Sequence, residues 1–88
     1  MIIKVTQDDI DKGEVSSHCN CPISRAIKRH TGLLNIATGG RTVTYNKFVN
    51  QSSIIMGSFT LPLAAREFIE RFDSDESVVP FEFEIKDI

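Results

Sequence analysis

Two cysteines and two histidines lie close together in the N-terminal half of the chain, and these residue types can bind a transition metal. They are His18, Cys19, Cys21 and His30. Two thiolates and two imidazoles would satisfy tetrahedral zinc, but the spacing between the two cysteines is shorter than in zinc fingers. The second histidine would lie about 2.5 turns along a helix that begins near Cys21. We therefore expect no metal and no cofactor, and these four residues are weak ligand candidates only.

Cys21 is also the best candidate for a nucleophile, because it precedes Pro22 at the predicted start of a helix. A thiol at a helix N-terminus is partly stabilised as the thiolate. A nucleophile also needs a positioned base and oxyanion donors, and His18 is the only base nearby in the sequence. The sequence contains no P-loop, no Gly-x-Ser-x-Gly and no His-Glu-x-x-His motif. These observations predict a protein that is not an enzyme.

Charge is distributed unevenly along the chain. Residues 15–66 contain six Lys and Arg residues and no Asp or Glu, whereas residues 67–88 contain eight acids and two basic residues. The two halves could interleave into surface ion pairs of little energy. Alternatively, they could form separate basic and acidic surfaces, and the acidic one could bind a basic protein surface. The candidate partner-binding residues are Asp73, Asp75, Glu76, Glu82 and Glu84.

The basic segment 15–66 supports an alternative function, which is nucleic-acid binding. Its candidate residues are Arg25, Lys28, Arg29, Arg41 and Lys47, with Tyr45 and Phe48 as stacking surfaces. The pI of about 5.6 and the lack of a known DNA- or RNA-binding motif weigh against this alternative. A protein partner is therefore the leading hypothesis, and a nucleic-acid partner stays open.

The elements that must position these groups are organised around one helix and one strand near the C-terminus. Apolar residues at helical spacing after Pro62 predict an amphipathic helix, and alternation at period 2 predicts a strand after it. The helix stripe is Leu61, Ala65, Phe68, Ile69 and Phe72, and the apolar strand face is Val79, Phe81, Phe83 and Ile85. We expect the two to pack together, with the core centred on their four phenylalanines.

The preceding chain predicts a strand at 2–6, one helical turn at 7–12 and a helix at 22–31. Thr6 and Asp9 form a predicted capping box at the turn, and Gly32 ends the helix. The inward residues of the helix are Ile23, Ala26, Ile27 and His30. Three strands follow at 33–37, 41–48 and 53–60. A Gly39-Gly40 turn with positive φ joins the first two, and residues 46–52 are assigned to a polar loop.

This order predicts an α+β fold with the elements β-α-β-β-β-α-β, in which two helices cover one face of an antiparallel-rich sheet of four to five strands. If two of the middle strands form one bent strand, the order becomes similar to a ferredoxin-like one. At 88 residues, the chain 1–88 is expected to form a single domain with one small core, as a monomer or a small homo-oligomer.

The composition predicts a cytoplasmic protein. There is no apolar run of about 18 residues that could span a membrane, and residues 1–9 do not have the pattern of a signal peptide. Cys19 and Cys21 are too close for an unstrained disulfide, so reduced thiols are expected.

Three groups of residues resemble a set of short phage, prophage and bacterial proteins. The first is VTQDDIDKG at 5–13, the second is CPI at 21–23 with Ala26-Ile27, and the third joins AREFI at 65–69, RFD at 71–73 and VPFEF at 79–83. The similarity covers both ends and is weakest at 32–58. The group has no assigned activity, so it implies no catalytic residues. It implies a small, phage-encoded accessory protein in the bacterial cytoplasm that binds a host protein, for example to inhibit a host defence system.

Overall fold

The computed structural model describes residues 1–86, which form three helices and five strands. In chain order these are β1 (Ile2–Val5), α1 (Gln7–Lys12), α2 (Pro22–Thr31), β2 (Leu34–Thr38), β3 (Thr42–Asn50), β4 (Ser53–Thr60), α3 (Leu63–Asp73) and β5 (Phe81–Glu84). All the strand pairs are antiparallel, so the predicted α+β class is confirmed. Asp87, one of the eight C-terminal acids, lies outside the described residues.

The strands form two sheets and not the single sheet of four to five strands that the sequence predicts. The first sheet pairs β1 with β5, and the second has the order β2-β3-β4. Within residues 1–86, β1 and β5 pair only with each other. The ferredoxin-like order is therefore not formed, because the three middle strands stay separate and make a sheet of their own.

The core lies where the first and last strands meet the helices. Ile3 and Phe83 are directly opposite each other in the β1–β5 pair and are both buried. α2 contacts both β1 and β2 and contributes Ile23 and Ile27, which are fully buried. Burial of these large aliphatic side chains stabilises the fold by about 1.5–3 kcal/mol each.

The four C-terminal phenylalanines pack as predicted but do not form the centre of the core. The Phe68 and Phe81 rings are stacked with centroids 4.8 Å apart, so the predicted contact between α3 and β5 is confirmed. Phe68 and Phe83 are buried, whereas Phe72 and Phe81 are only partly buried. The most deeply buried side chains are aliphatic, and they come from several elements: Ile3 of β1, Ile23 and Ile27 of α2, Val43 of β3, and Leu61 before α3.

The ends of the helices follow the sequence signals closely. Thr6 and Asp9 form the predicted capping box of α1. α2 begins at Pro22, directly after Cys21, and ends at Gly32, which has a φ of 68°. His30, predicted to be inward-facing, is exposed, although its ring reaches the backbone of β1. Val79 is exposed because β5 begins only at Phe81, so it does not extend the apolar strand face.

The β3–β4 hairpin is longer than predicted. The predicted polar loop at 46–52 is wrong, because β3 continues to Asn50 and only residues 51 and 52 form the turn. The Asn50 side-chain oxygen accepts a hydrogen bond from the Ser52 N–H at 2.9 Å and so stabilises this short turn. The predicted positive φ at Gly39 and Gly40 is also wrong, since residues 39–41 join β2 to β3 as a three-residue loop.

Truncation of Phe83 should be strongly destabilising, because its side chain is buried in the core, opposite Ile3 and beside the Phe81 ring. We expect Phe83→Ala to lower the free energy of unfolding by about 3–5 kcal/mol, measured by urea denaturation. Phe48→Ala is the matched control, since Phe48 is 58% exposed and its loss should cost about 0.5 kcal/mol or less in dilute solution. Equal losses for the two variants would contradict this description of the core.

Candidate functional site

The soft-ligand residues are not brought together in the structure. Cys21 is buried at the start of α2, whereas Cys19 is exposed. The His30 Nε2 accepts a hydrogen bond from the backbone N–H of Lys4 at 3.0 Å. Within residues 1–86, no group of three or more His, Cys, Asp or Glu side chains is placed to hold a metal ion.

A cleft of about 250 Å³ contains His18 and Cys21 together with Thr38 and Asp73. The Ser24 hydroxyl donates to the His18 carbonyl at 2.6 Å, and it lies 2.6 Å from the Thr38 hydroxyl. Because the single Ser24 proton goes to the carbonyl, Thr38 is the donor in the second bond. The Cys21 sulfur makes its hydrogen bonds to Ser24. Ser24 therefore joins Cys21, Thr38 and the His18 carbonyl in one network. No imidazole or carboxylate among residues 1–86 is hydrogen-bonded to the thiol.

Asp9 is the one acidic side chain that the described structure buries. It accepts hydrogen bonds from the Thr6 N–H at 2.9 Å, the Thr6 hydroxyl at 3.1 Å and the Arg29 guanidinium. Arg29 also donates to the Lys4 carbonyl at 2.7 Å. Burial alone would raise the pKa of the Asp9 carboxyl, but the hydrogen bonds from Arg29 and Thr6 outweigh it and hold this pKa below its ordinary value. The network fixes β1, α1 and α2 to one another.

The same network engages part of the predicted basic surface. Arg25 lies 3.9 Å from Asp8 and 4.0 Å from Asp9, and Arg29 pairs with Asp9. Lys28 lines the same shallow cavity as these four residues. Two of the five basic candidates for nucleic-acid binding are therefore already paired with carboxylates.

The other basic candidates lie on a different part of the molecule. Arg41 immediately precedes β3 and Lys47 lies within it, and neither lines the cavity beside α2. Tyr45 is partly buried. Its ring covers Gly57, where an added Cβ would lie 2.4 Å from the ring, and its centroid is 6.1 Å from that of the Phe59 ring. The structure thus divides the nucleic-acid candidates between α2 and β3, and it uses the tyrosine ring for packing.

The acidic candidates lie in two places. Glu82 and Glu84 are exposed on the outer face of the β1–β5 pair, because Phe81 and Phe83 alternate with them and face the core. Lys4 is directly opposite Glu82 in the register. The remaining three acids lie at the end of α3, which packs against the inner face of the same pair of strands.

The acids at the end of α3 have different roles. The Asp73 carboxylate accepts a hydrogen bond from the Ser16 N–H at 3.0 Å, so it fixes the loop between α1 and α2. Asp75 has a φ of 60° in the turn after the helix, and Glu76 follows it. Both are exposed. Asp73 therefore has a structural contact, whereas the other two are free to meet a partner.

Ion pairs within residues 1–86 do not join the basic segment to the C-terminal acids. The pairs that form are those of Lys12, Arg25 and Arg29 with Asp8 or Asp9. Of the two alternatives for the charged halves, interleaving into ion pairs is therefore not seen in the described residues. Six exposed acids make no side-chain hydrogen bond or ion pair with any described residue. We call them the acidic surface, and it has two parts: Glu82 and Glu84 lie on the outer face of β5, whereas Glu67, Glu70, Asp75 and Glu76 lie on α3 and in the turn after it.

The sequence interpretation missed an exposed apolar region at the far end of the β3–β4 hairpin. Its five side chains are between 51% and 86% exposed, and they are Phe48, Val49, Ile54, Ile55 and Met56. Phe48, Ile54 and Met56 share one face of the ribbon, and Ile55 lies on the other. Scattered exposed apolar residues are ordinary, but several on one face commonly mark an interaction surface. The signal that could have revealed it is the scarcity of charge, since Lys47 is the only charged residue in the segment 42–60.

Comparison with known proteins gives no further guide to the site. No family model, no curated protein and no solved structure matches the chain. Among residues 1–86, no helix has the length and the apolar character needed to cross a membrane.

Replacement of Asp9 tests the buried network by its pH dependence. Because the pKa of this carboxyl is lowered by folding, its stabilising effect is present above the unfolded-state pKa of about 3.9 and is lost as the pH falls through the folded-state pKa. We expect Asp9→Asn to lower the free energy of unfolding by about 2 kcal/mol at pH 7. The difference from the wild type should shrink steadily below about pH 4.

Chemical denaturation at a series of pH values measures this difference. Asp11→Asn is the control, because Asp11 is exposed on the same helix and should show little change at any pH. A deficit of Asp9→Asn that stays constant down to pH 2 would show that the ionised carboxylate does not stabilise the fold.

Proposed function

We propose that this chain is a small, non-enzymatic accessory protein that binds a basic surface of a host protein through its acidic surface. The observation that carries the proposal is that six exposed carboxylates of α3, β5 and the turn between them make no ion pair with any residue among 1–86. Acids outnumber basic residues in this part of the chain, and an excess of charge of one sign speeds encounters with a partner of opposite sign.

The charge arrangement favours a protein partner over a nucleic acid. Residues 67–86 contain seven acids and two basic residues, and this part of the molecule would repel phosphates. Among the basic residues that could bind phosphates, Arg25 and Arg29 are already paired with Asp8 and Asp9. Those two arginines would have to exchange their present partners for phosphates, which lowers the net gain from binding.

The resemblance to short phage and bacterial proteins supplies the biological setting of the proposal. In that setting, the protein is phage-encoded and acts in the bacterial cytoplasm. A protein that blocks a basic surface, including one that normally holds a nucleic acid, could inhibit a host defence system by occupying that surface. This part of the proposal rests on two things: the resemblance to short phage and bacterial proteins, and the acidic surface.

Neutralising substitutions should weaken binding where the acidic surface meets its partner. Affinity capture from a bacterial lysate treated with nuclease would compare the wild type with Glu82→Gln/Glu84→Gln and with Asp75→Asn/Glu76→Gln, because these two pairs lie on different parts of the surface. We expect at least one pair to lower recovery of a specific protein about tenfold or more, and the wild-type complex to weaken as salt rises.

The control for this experiment is Asp11→Asn/Glu14→Gln, which makes the same carboxylate-to-amide change at two exposed residues outside the acidic surface. Equal recovery of every captured protein by all four forms would remove the acidic surface from the account. Tight, salt-sensitive binding to DNA or RNA by the purified chain would favour the basic segment 15–66 instead.

A further inference from the structure

The outer face of the β2-β3-β4 sheet carries no charged residue. The three strands contain five, nine and eight residues, and Lys47 is the only charged one. Lys47 pairs with Ile55, which places it on the same face as Val43 and Tyr45, the face that turns towards the core. In a chain with 25% charged residues, a solvent-facing sheet surface without a single charge is unusual for a surface that stays in water.

The composition of this outer face changes along the hairpin. Near the body of the molecule it consists of the cross-strand pairs Thr42–Thr60 and Thr44–Ser58. Towards the turn it becomes apolar, where Phe48 lies opposite Ile54 and Met56 lies opposite Asn46. The register is regular from Thr42 to Phe48, so these side chains form one continuous surface on one side of the sheet.

The apolar half of this face belongs to a part of the hairpin that has no third strand beside it. β2 pairs with β3 only as far as Asn46, and beyond that point β3 and β4 continue as two strands alone. The molecule measures 43 × 21 × 21 Å, which shows how elongated it is. A two-stranded ribbon is marginally stable in water unless one of its faces packs against something.

We propose that this face binds the same face of a second copy of the chain, so that the Phe48, Ile54 and Met56 side chains of the two copies pack together. A two-fold interface places each surface against itself, and it therefore excludes faces that carry charge of one sign. An uncharged face that combines hydroxyl groups with apolar side chains meets its own copy without repulsion. Most of the remaining surface carries charges, and the acidic surface in particular would repel a second copy.

The size of the face agrees with a weak dimer. From Thr42 to Phe48 it extends roughly 20 Å along the strands. It is about 14 Å across where β2 takes part and about 10 Å across beyond Asn46, where only β3 and β4 continue. Because protruding side chains add to the flat area, the accessible surface buried would be on the order of 500 Å² per copy and about 1,000 Å² for the pair. That total is at the lower end of the range for specific interfaces. We therefore expect a reversible dimer with a Kd of about 1–100 µM.

The experiment is sedimentation equilibrium of the purified chain across a range of about 1 µM to 1 mM. The test variant is Met56→Glu, since Met56 is 86% exposed and the substitution should not affect folding of the single copy. Its matched control is Ile55→Glu, which adds the same charge at the neighbouring position of the same strand but on the opposite face, where Lys47 is its cross-strand neighbour.

We expect the wild type and Ile55→Glu to dimerise with similar Kd values, and Met56→Glu to weaken the dimer at least thirtyfold. Because the contact is apolar, added salt should leave the wild-type dimer unchanged or strengthen it. A wild type that stays monomeric up to 1 mM would overturn the proposal and leave the face to a different partner. Equal effects of the two variants would overturn it as well, because the outer face would then not be the contact.

This inference is independent of the proposed function, since it concerns a different surface. Glu82→Gln/Glu84→Gln should dimerise like the wild type, and Met56→Glu should retain any partner that the acidic surface binds. A failure of one proposal therefore leaves the other in place.

Discussion

The fold depends on the pairing of the first strand with the last. β1 and β5 are separated by about the whole length of the chain, and they meet with Ile3 opposite Phe83 in the buried core. The Ile85 N–H donates to the Met1 carbonyl at 2.9 Å and continues this pairing beyond β5. Because α2 and α3 both pack on the inner side of this pair, neither helix has a complete hydrophobic surface until the chain has closed.

This closure also explains the shape of the rest of the molecule. β1 and β5 pair with each other alone in the described chain, so the middle strands must complete a second sheet without their help. The inner side of that sheet faces the core: β2 contacts α2, and the Val43 side chain of β3 is fully buried. At its far end, side chains such as Phe48 and Met56 are not buried by any other part of residues 1–86. Its outer face is uncharged and partly apolar, which is more typical of an interface than of a surface exposed to solvent.

Local signals in the sequence were sufficient for the helices and for the contact between α3 and β5. Proline at the start of α2, glycine at its end and the capping box of α1 each depend on neighbouring residues only, and all three are confirmed. The division into two sheets could not be predicted in this way, because strand order depends on contacts between distant residues. The Asp9–Arg29 pair joins residues 20 positions apart and was missed for the same reason.

The candidate surfaces show the same limit. Composition along the chain identified a run of acids near the C-terminus. It could not show that Glu82 and Glu84 lie on one side of β5 while α3 packs on the other. The exposed hairpin end was missed because residues 46–52 look polar, although most of them continue an apolar ribbon. A count of charges over residues 42–60 would have been a better guide than hydropathy, since exposed strands normally carry charge.

Native-state hydrogen exchange, followed by NMR at several protein concentrations, tests the central claim most directly. If closure by β1 and β5 holds the fold together, their amides should exchange only through global unfolding, with the same free energy as denaturation. The amides of residues 47–55 should exchange through a smaller, local opening in dilute solution. Exchange of β1 and β5 that is faster than that of the hairpin end in dilute solution would contradict the account, because the hairpin would then be stable without the closure.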